Sequence, residues 1–585
     1  MKKIVYFVQK CFFCYATYLL IAISLILSIL SFVGHLRNDF LAVNDISLLI
    51  AAMWYVALIL LILSAFIFWL KEKNKKLKYG YVELLIFFLI LCICTIPRLL
   101  YIDHLGIFTD EMFWINEAKG FLNGTVISPF GFIGDQPSNL PALLVALLLI
   151  ITKNVYYAVR LPGFLFSMGF LILLFFHVKK RMGFLIASLT SLLFATSIWD
   201  IHMSRFGWNN VNLNPFIIMG IIYFYIQIID QRKKYHAIIA GIFIGIAINL
   251  LYVSMLMIVP IFIHMFLYVL LLFANKNKYK FEYLQLFVIL LFSIAILIAP
   301  TFAKIKSHPN ESIQRHKSFV SDNIEKSQKS TTKITFYSNE FYVAVQNFIP
   351  NYSKLETSML WGITLNYTTF LALFLGFIGL FFVESKNNHK TFIYLSFFIM
   401  FMPVVILNRT TSVWREYAFL PTIYIFCAYG LFYMNVIFQK LTKFGSSMFV
   451  IIIIACIAFE FWQGYKKFVN NDLSNKNEYF ETLCKEVSTY IIQSVPKTKI
   501  VTFPDQLCSD LTIVAMNESH AHLQRYIDQT PLFTNNEVVI FYSIPNQTPT
   551  YTMNEYDMDR IALEHAFRKI QIAKMGENQA YIYMK

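Results

Sequence analysis

The apolar run NLPALLVALLLIIT, residues 139–152, decides how this chain passes through a membrane. Its 14 residues would rise only about 21 Å as a helix, which is short of a hydrocarbon core roughly 30 Å thick. A crossing helix here would reverse the side of every later loop, whereas a helix along the interface would not. The charges of the loops on either side distinguish the two arrangements.

Outward from this run, basic polar segments separate longer apolar ones. If residues 139–152 do not cross, the basic segments all fall on one side of the membrane. These segments are MKK (1–3), KEKNKKLK (71–78), KKR (179–181), QRKK (231–234), NKNKYK (275–280), ESKNNHK (384–390) and QKLTK (439–443). Because Lys and Arg are enriched in cytoplasmic loops, the sequence predicts that residues 139–152 do not cross and that this side is cytoplasmic.

The composition is that of an integral membrane protein, with 58% hydrophobic and 14% charged residues. Soluble proteins carry about 25% charged residues. The net charge of +15 comes from the membrane part, so it does not indicate a nucleic-acid partner. We predict an α-helical polytopic protein with its N-terminus in the cytoplasm. The thirteen predicted spans are 14–34, 46–70, 81–100, 161–178, 183–199, 211–230, 236–254, 256–273, 283–303, 360–383, 391–408, 417–438 and 446–464.

Three parts follow from these spans. Residues 1–78 form two extra N-terminal transmembrane helices, and residues 79–465 form a core whose outer loops are 101–160, 200–212 and 304–359. Residues 466–585 lie outside as a small α/β domain. The tail alternates helix-like segments with β-rich ones. The helix-like segments are 479–493 and 557–567, and the β-rich segments are 499–503, 538–543 and 580–584.

An acidic pair stands directly after the third span, in GIFTDEMFWINEAKGFLNG (106–124). Asp110 and Glu111 open a short amphipathic helix with aromatic residues. Carboxylates close to a membrane are costly unless they are solvated, paired or bound to a cation. One interpretation is a solvated helix cap at Asp110. The other is a general base or a divalent-metal site.

Several motifs occur in a fixed order along the chain. After the acidic pair come GDQPSNLPALLVALL (134–148), RLPGFLFSMGFLILLFF (160–176), SRFGWNN (204–210) and NRTTSVWREYAFLPTIYIFCAYGL (408–431). This series resembles the GT-C superfamily, in particular the branch of protein O-mannosyltransferases and lipid A aminoarabinose transferases. The resemblance covers roughly residues 80–465. It implies a polyprenyl-phosphate-dependent glycosyltransferase with an acidic first outer loop and membrane-skimming helices.

The resemblance also implies site residues. Asp110 is expected to act as catalytic base, with Glu111 as its partner near the acceptor or a metal. The expected substrate-binding residues are Arg160, Arg205, Asn209, Arg409, Arg415 and Tyr417. Among these, Arg205 and one of Arg409 or Arg415 would hold the lipid-linked phosphate, which suits the planar donors of arginine. For each arginine, snorkelling to lipid headgroups is the alternative.

A divalent metal ion is a candidate cofactor, with Asp110, Glu111 and Asp135 as candidate ligands; no nucleotide cofactor is expected. The chain departs from the family pattern at two places. Asn209 and Asn210 stand where relatives often carry a second Asp, and Asp135-Gln136-Pro137 replaces a Glu-Lys-Pro. The missing Lys counts against a lipid A acceptor.

The predicted function is transfer of a sugar from a polyprenyl-phosphate donor to a lipid, glycan or protein acceptor at the extracytoplasmic face. Membrane lipids are expected partners and nucleic acid is not. The MKK start favours a bacterial inner membrane. A transporter or flippase of lipid-linked glycans is the main alternative, although no fixed-period or inverted Pro/Gly-broken repeat of the kind common in transporters is visible. A scaffold subunit of a cell-envelope complex is a third.

Overall fold

The structure is a computed structural model of the 585-residue chain. It describes residues 2–37, 45–72, 80–100, 102, 109–125, 140–207, 209–250, 252–275, 279–307, 356–357, 360–361, 365–382, 389–406, 417–468, 500–503, 523–525, 537–543, 568–575 and 578–584.

The described part of the chain up to residue 468 is almost entirely helical. Its first nine helices are α1 Lys2–Arg37, α2 Asp45–Glu72, α3 Tyr81–Leu99, α4 Thr109–Asn123, α5 Leu140–Thr152, α6 Val155–Met182, α7 Phe184–Ala195, α8 Ile198–Met203 and α9 Asn209–Asn212. The others are α10 Asn214–Gln231, α11 Lys234–Leu250, α12 Tyr252–Met255, α13 Ile258–Ala274, α14 Lys280–Ser307, α15 Tyr367–Phe382, α16 His389–Ile406, α17 Leu420–Leu441 and α18 Gly445–Phe468.

Within the described ranges, seven helices are long and apolar enough to cross a membrane. Further apolar helices of 10–17 residues include α5, α7, α11 and α13. One predicted boundary is wrong. Leu360 and Trp361 form a strand, β2, paired antiparallel with β1 at Glu356–Thr357, and the helix predicted from 360 begins at Tyr367. The number of crossings stays a prediction.

Polar contacts join four helices at one end of the bundle. Lys179 of α6 donates to Glu83 at the start of α3 over 2.7 Å. Asp230, at the end of α10, pairs with Arg181 of α6 at 2.9 Å and with His389 of α16 at 2.8 Å. Three of the basic segments found in the sequence therefore meet at this end, which we call the basic end.

The turn between α5 and α6 is set by two residues. Lys153 has φ of 52°, in the left-handed region. The Asn154 side chain then caps α6 by accepting from the backbone N–H of Tyr156 at 2.9 Å and of Tyr157 at 3.3 Å. Asn is among the best helix-capping residues because its short side chain reaches these free N–H groups. The turn folds α5 back against α6 and α4, where its Ala142, Val145 and Ala146 are buried.

Small residues allow α15 and α17 to approach each other closely. A Cβ on Gly376 of α15 would lie 1.7 Å from the Phe426 carbonyl oxygen of α17, and one on Gly430 would lie 2.0 Å from that of Ala372. The two backbones thus touch, as membrane helices do where small residues face each other. This contact fixes α17 against the core.

The two N-terminal helices pack on the core. Ser28 of α1 and Trp54 of α2 both donate to the Ile296 carbonyl of α14, at 2.9 and 3.1 Å. Within the α1–α2 hairpin, Ser24 donates to the Ala57 carbonyl at 2.6 Å. The hairpin is therefore tied to α14 by buried hydrogen bonds as well as by apolar contact.

The tail carries a five-stranded sheet in the order β4-β3-β5-β7-β6. Its strands are β3 Ile500–Phe503, β4 Leu523–Arg525, β5 Glu537–Ser543, β6 Arg568–Met575 and β7 Asn578–Met584. β3 is parallel to β4 and β5, whereas β7 is antiparallel to β5 and β6. The predicted helices at 479–493 and 557–567 lie outside the described residues, so the α/β assignment of the tail stays a prediction.

Candidate active site

Helix α4 presents one buried face to the bundle. Glu111, Trp114, Ile115 and Ala118 are at most 3% exposed. Their spacing of i, i+3, i+4 and i+7 places them on one side of a helix. On another side, Phe113 is 46% exposed. A carboxylate on the buried face of an otherwise apolar stripe needs a partner.

That partner is Arg160, near the start of α6. The guanidinium donates from Nε to Glu111 Oε1 and from Nη2 to Oε2, both at 2.8 Å. Its Nη1 donates to the Ile102 carbonyl at 2.8 Å. Both side chains are at most 1% exposed. This two-pronged geometry is the strongest form of an Arg–carboxylate contact.

The same carboxylate also holds the segment that follows α8. The backbone N–H of Gly207 donates to Glu111 Oε1 at 2.6 Å. A Cβ on Gly207 would lie 2.6 Å from Val159 and 2.9 Å from Glu111, and one on Gly163 would lie 2.7 Å from the Ser204 carbonyl oxygen. Glycine at 163 and 207 thus lets residues 204–207 lie directly on α4 and α6.

A second buried ion pair links α3 to α8. Arg98, at the end of α3, donates to Asp200 Oδ2 of α8 from Nη2 at 2.6 Å and from Nε at 2.9 Å. Ser167 of α6 donates to the same oxygen at 2.5 Å. Arg98 also donates to the carbonyls of Cys94 and Ala195, at 2.8 and 2.9 Å. Both charged side chains are at most 1% exposed.

The other oxygen of Asp200 accepts from Tyr417. The Tyr417 hydroxyl donates to Asp200 Oδ1, and the ring meets Trp199 edge-to-face at 5.7 Å between centroids. Tyr417 begins a 3₁₀ turn, Tyr417–Phe419, that leads into α17, and it is 1% exposed. Asp200 thereby joins α3, α6, α8 and the start of α17.

The structure brings two of the sequence-predicted site residues, Glu111 and Arg160, into direct contact. Arg205, which is 7% exposed, lies two residues before Gly207 in the same segment. Asp110 is the second residue of α4 and Asn209 opens α9, but their side chains lie outside the described residues, as do Asp135, Arg409 and Arg415 entirely. The roles assigned to these residues stay predictions.

Metal binding at Glu111 does not fit its surroundings. Three N–H donors from Arg160 and Gly207 already contact its two oxygens within 2.8 Å. Among the described residues, no three His, Cys, Asp or Glu side chains come together. Lys119, on the same helix, is half-buried, and burial lowers the pKa of its ammonium group below the ordinary value.

The sequence pattern missed Arg98 and Asp200. Each lies at the boundary of an apolar run, where a charged side chain usually reaches to lipid headgroups. The available signal was that both fall at the same predicted side of the membrane with opposite charge. Membrane-embedded charges of opposite sign often pair.

Known proteins resemble this arrangement in sequence and in fold. Residues 135–298 match the family model described as dolichyl-phosphate-mannose-protein mannosyltransferase. The crystal structure of ArnT from Cupriavidus metallidurans bound to undecaprenyl phosphate aligns with a TM-score of 0.50 and 11% identity, over 85% of this chain and 97% of that one. The chain therefore shares the fold of this membrane glycosyltransferase, and residues 135–298 are similar in sequence to the mannosyltransferase family.

Two further solved structures are less similar to this chain. The Archaeoglobus fulgidus oligosaccharyltransferase in complex with zinc and sulfate has a TM-score of 0.42 and 11% identity, over 74% of this chain and 61% of that one. Arabinosyltransferase EmbB from Mycobacterium smegmatis has a TM-score of 0.41 and 10% identity, over 72% and 42%. A search of curated proteins found no match.

Proposed function

We propose that this protein is a GT-C glycosyltransferase that transfers a sugar from a polyprenyl-phosphate carrier to a lipid, glycan or protein acceptor at the extracytoplasmic face of a bacterial inner membrane. The observation that supports this most strongly is the fixed position of α4. Its second residue, Asp110, directly precedes Glu111, which is bound to Arg160 and to Gly207 N. A base on such a helix is held in place relative to the segment that carries Arg205. The similar structure of ArnT, which was solved bound to undecaprenyl phosphate, supports a polyprenyl phosphate as the carrier of the sugar.

The proposed topology has thirteen spans, with the basic end in the cytoplasm and the tail outside. Contacts at both ends of α3 support the antiparallel arrangement of α3 and α6 that this topology requires. Glu83, at its start, meets Lys179 at the end of α6, whereas Arg98, at its end, shares Asp200 with Ser167 nearer the start of α6. The chain thus leaves α3 and enters α6 at the same end of the bundle. This favours α5 lying at the outer interface, without a net crossing.

In the proposed reaction, the acceptor hydroxyl attacks the anomeric carbon of the donor sugar. Asp110 takes the hydroxyl proton, and the bond between the anomeric carbon and the phosphate oxygen breaks. Its electron pair leaves on the polyprenyl phosphate. Arg205 and one of Arg409 or Arg415 offset the charge that develops there, which lowers the barrier because the donors are in place beforehand.

The proposal routes no step through a metal ion. Glu111 holds α4 in place through Arg160, so a divalent ion would have to take its protein oxygens from Asp110 and Asp135. Such oxygen ligands suit Mg²⁺ and Mn²⁺. Removal of divalent ions by EDTA, followed by an assay with and without Mn²⁺, measures whether transfer depends on one.

The test is a transfer assay with purified protein in detergent, a panel of synthetic undecaprenyl-phosphate sugars and acceptors extracted from cell envelopes. Asp110→Asn is expected to lower the rate by at least about 10²-fold, the usual contribution of a general base. Asn keeps the side-chain volume and an oxygen for capping, so a mere helix cap would show almost no loss.

Glu117→Gln is the matched control, because it removes a negative charge from the same helix about 10 Å further along. Glu117 is half-buried, so the variant also reports any general disturbance of α4, and it should transfer within about threefold of wild type. If Asp110→Asn stays within tenfold of wild type, the catalytic role is wrong. If wild type moves labelled lipid-linked glycan across proteoliposome membranes but transfers no sugar from any donor, the flippase alternative replaces the proposal.

A further inference from the structure

Asp200 occupies a position in the bundle that the proposed reaction does not use. Its carboxylate accepts from Arg98, Ser167 and Tyr417, which lie on three different elements. The backbone N–H of Asp200 is itself capped by the Ser197 hydroxyl at 3.4 Å. Four hydrogen bonds to a carboxylate with 1% side-chain exposure make a fully satisfied polar network, which rigidifies the elements it joins.

The elements that Asp200 joins are those that carry the proposed site. Along α6, Ser167 lies seven residues after Arg160, so the two side chains share one face of the helix about 10 Å apart. Asp200 itself lies in α8, seven residues before Gly207. The Asp200 network therefore anchors both segments that meet at Glu111, namely α6 and the turn that follows α8.

We propose that Asp200 is a positioning residue: it fixes α8 against α3, α6 and Tyr417, and so holds the Ser204–Gly207 turn where Gly207 contacts Glu111 and Arg205 enters the site. The positioning role itself does not depend on the proposed glycosyl transfer; only its effect on the reaction rate does. Tyr417, which the sequence suggested as a substrate-binding residue, is on this account a second positioning residue that acts through Asp200.

The principal variant is Tyr417→Phe. It removes one hydrogen bond to Asp200 while leaving the ring against Trp199. The matched control is Tyr225→Phe, because Tyr225 is equally buried at 1% exposure and its hydroxyl likewise contacts a side chain, His264 Nδ1, at 2.9 Å. That contact joins α10 to α13. Both variants remove one buried hydrogen bond. Because a bond to a carboxylate contributes more than a typical one, the two variants are compared by where hydrogen exchange changes and not by total stability.

Hydrogen exchange of the full chain in detergent, read by mass spectrometry, tests the proposal without any substrate. In Tyr417→Phe, peptides covering 204–212 and 109–123 are expected to exchange at least about threefold faster than in wild type, because local opening follows the loss of tertiary anchors. In Tyr225→Phe, these peptides should be unchanged. Asp200→Asn, which keeps the shape but weakens the bond to Arg98, should show the same pattern more strongly if it folds.

The kinetic arm uses the donor sugar that supports transfer by wild type. Tyr417→Phe should lower kcat by about tenfold and change the donor KM less than about threefold, because misplaced groups weaken the transition state more than ground-state binding. Unchanged exchange at 204–212 in Tyr417→Phe would overturn the positioning role. If exchange changes as expected but wild type transfers no sugar, the proposed function fails and the positioning role stands.

Discussion

Two buried arginine–carboxylate pairs lie along one face of α6, and they connect different elements of the molecule. The Glu111–Arg160 pair joins α4 to α6 and also contacts backbone groups of Ile102 and Gly207. The Arg98–Asp200 pair joins helices within the bundle and adds two side-chain hydroxyls to the same carboxylate. On this account, the first pair positions α4, which carries the candidate base. The second pair fixes α8 and thereby the turn that contacts Glu111. A buried pair is therefore best interpreted from its other partners rather than from its charges.

The largest difference between the pairs should appear when each carboxylate is removed. Asp200→Ala leaves Arg98, Ser167 and Tyr417 without their shared acceptor, whereas Glu111→Ala leaves Arg160 and Gly207 N. Breaking a buried pair costs about 3–5 kcal/mol, and each extra unsatisfied donor adds about 1–3 kcal/mol. Asp200→Ala should therefore be the more destabilising. Thermal unfolding of both variants in the same detergent shows which of them is less stable.

An equal loss of unfolding temperature in the two variants would contradict this comparison. Isosteric replacement provides the control, because Glu111→Gln and Asp200→Asn keep an acceptor oxygen at each site. Each should recover part of the stability lost in the corresponding Ala variant. Failure of both to recover any would mean that the charge, and not the hydrogen bonds, holds the pairs.

The contact of α6 with the turn after α8 should show the next largest effect. Gly163→Ala would place a Cβ 2.7 Å from the Ser204 carbonyl oxygen, which is backbone and cannot rotate away. Overpacking of this kind costs about 1–3 kcal/mol. We expect a lower unfolding temperature together with faster hydrogen exchange at residues 204–212.

Gly169→Ala, on the same helix, is the control that separates a general loss of stability from faster exchange at residues 204–212. Its Cβ would meet the ring of Phe216 at 2.6 Å, and a side chain can shift more readily than backbone. It should leave exchange at residues 204–212 unchanged. If Gly163→Ala also leaves it unchanged, the turn is not held by close packing on α6.

The sequence predicted much of this architecture. Periodic apolar runs located the helices, because a membrane requires about twenty apolar residues per span, and the acidic pair pointed to α4. Glu111 and Arg160 were both singled out, yet their contact was not foreseen, since 49 positions separate them. Arg98 and Asp200 were missed because charges at span ends have a ready alternative in the headgroup region. Pairing across 102 positions is a property of helix packing, which no local pattern encodes.

The start of α6 should show the smallest effect. Asn154→Ala removes the cap from Tyr156 and Tyr157 N–H and should cost about 1 kcal/mol. Asn154→Asp keeps the capping oxygen and should cost less. The difference in unfolding temperature between Asn154→Ala and Asn154→Asp measures how strongly the cap stabilises the start of α6, where Arg160 lies. A loss as large as that of Glu111→Ala would show that the cap, rather than the ion pair, sets the start of α6.

The central claim is that two adjacent carboxylates do different work, with Asp110 acting on the substrate and Glu111 holding the helix. The direct measurement is the single-turnover transfer rate and the unfolding temperature of Asp110→Asn and Glu111→Gln, side by side with wild type. We expect Asp110→Asn to lose at least about 10²-fold in rate with an unchanged unfolding temperature. Glu111→Gln should lower the unfolding temperature and reduce the rate less. The reverse pattern, with Asp110→Asn active and Glu111→Gln stable but inactive, would contradict the account.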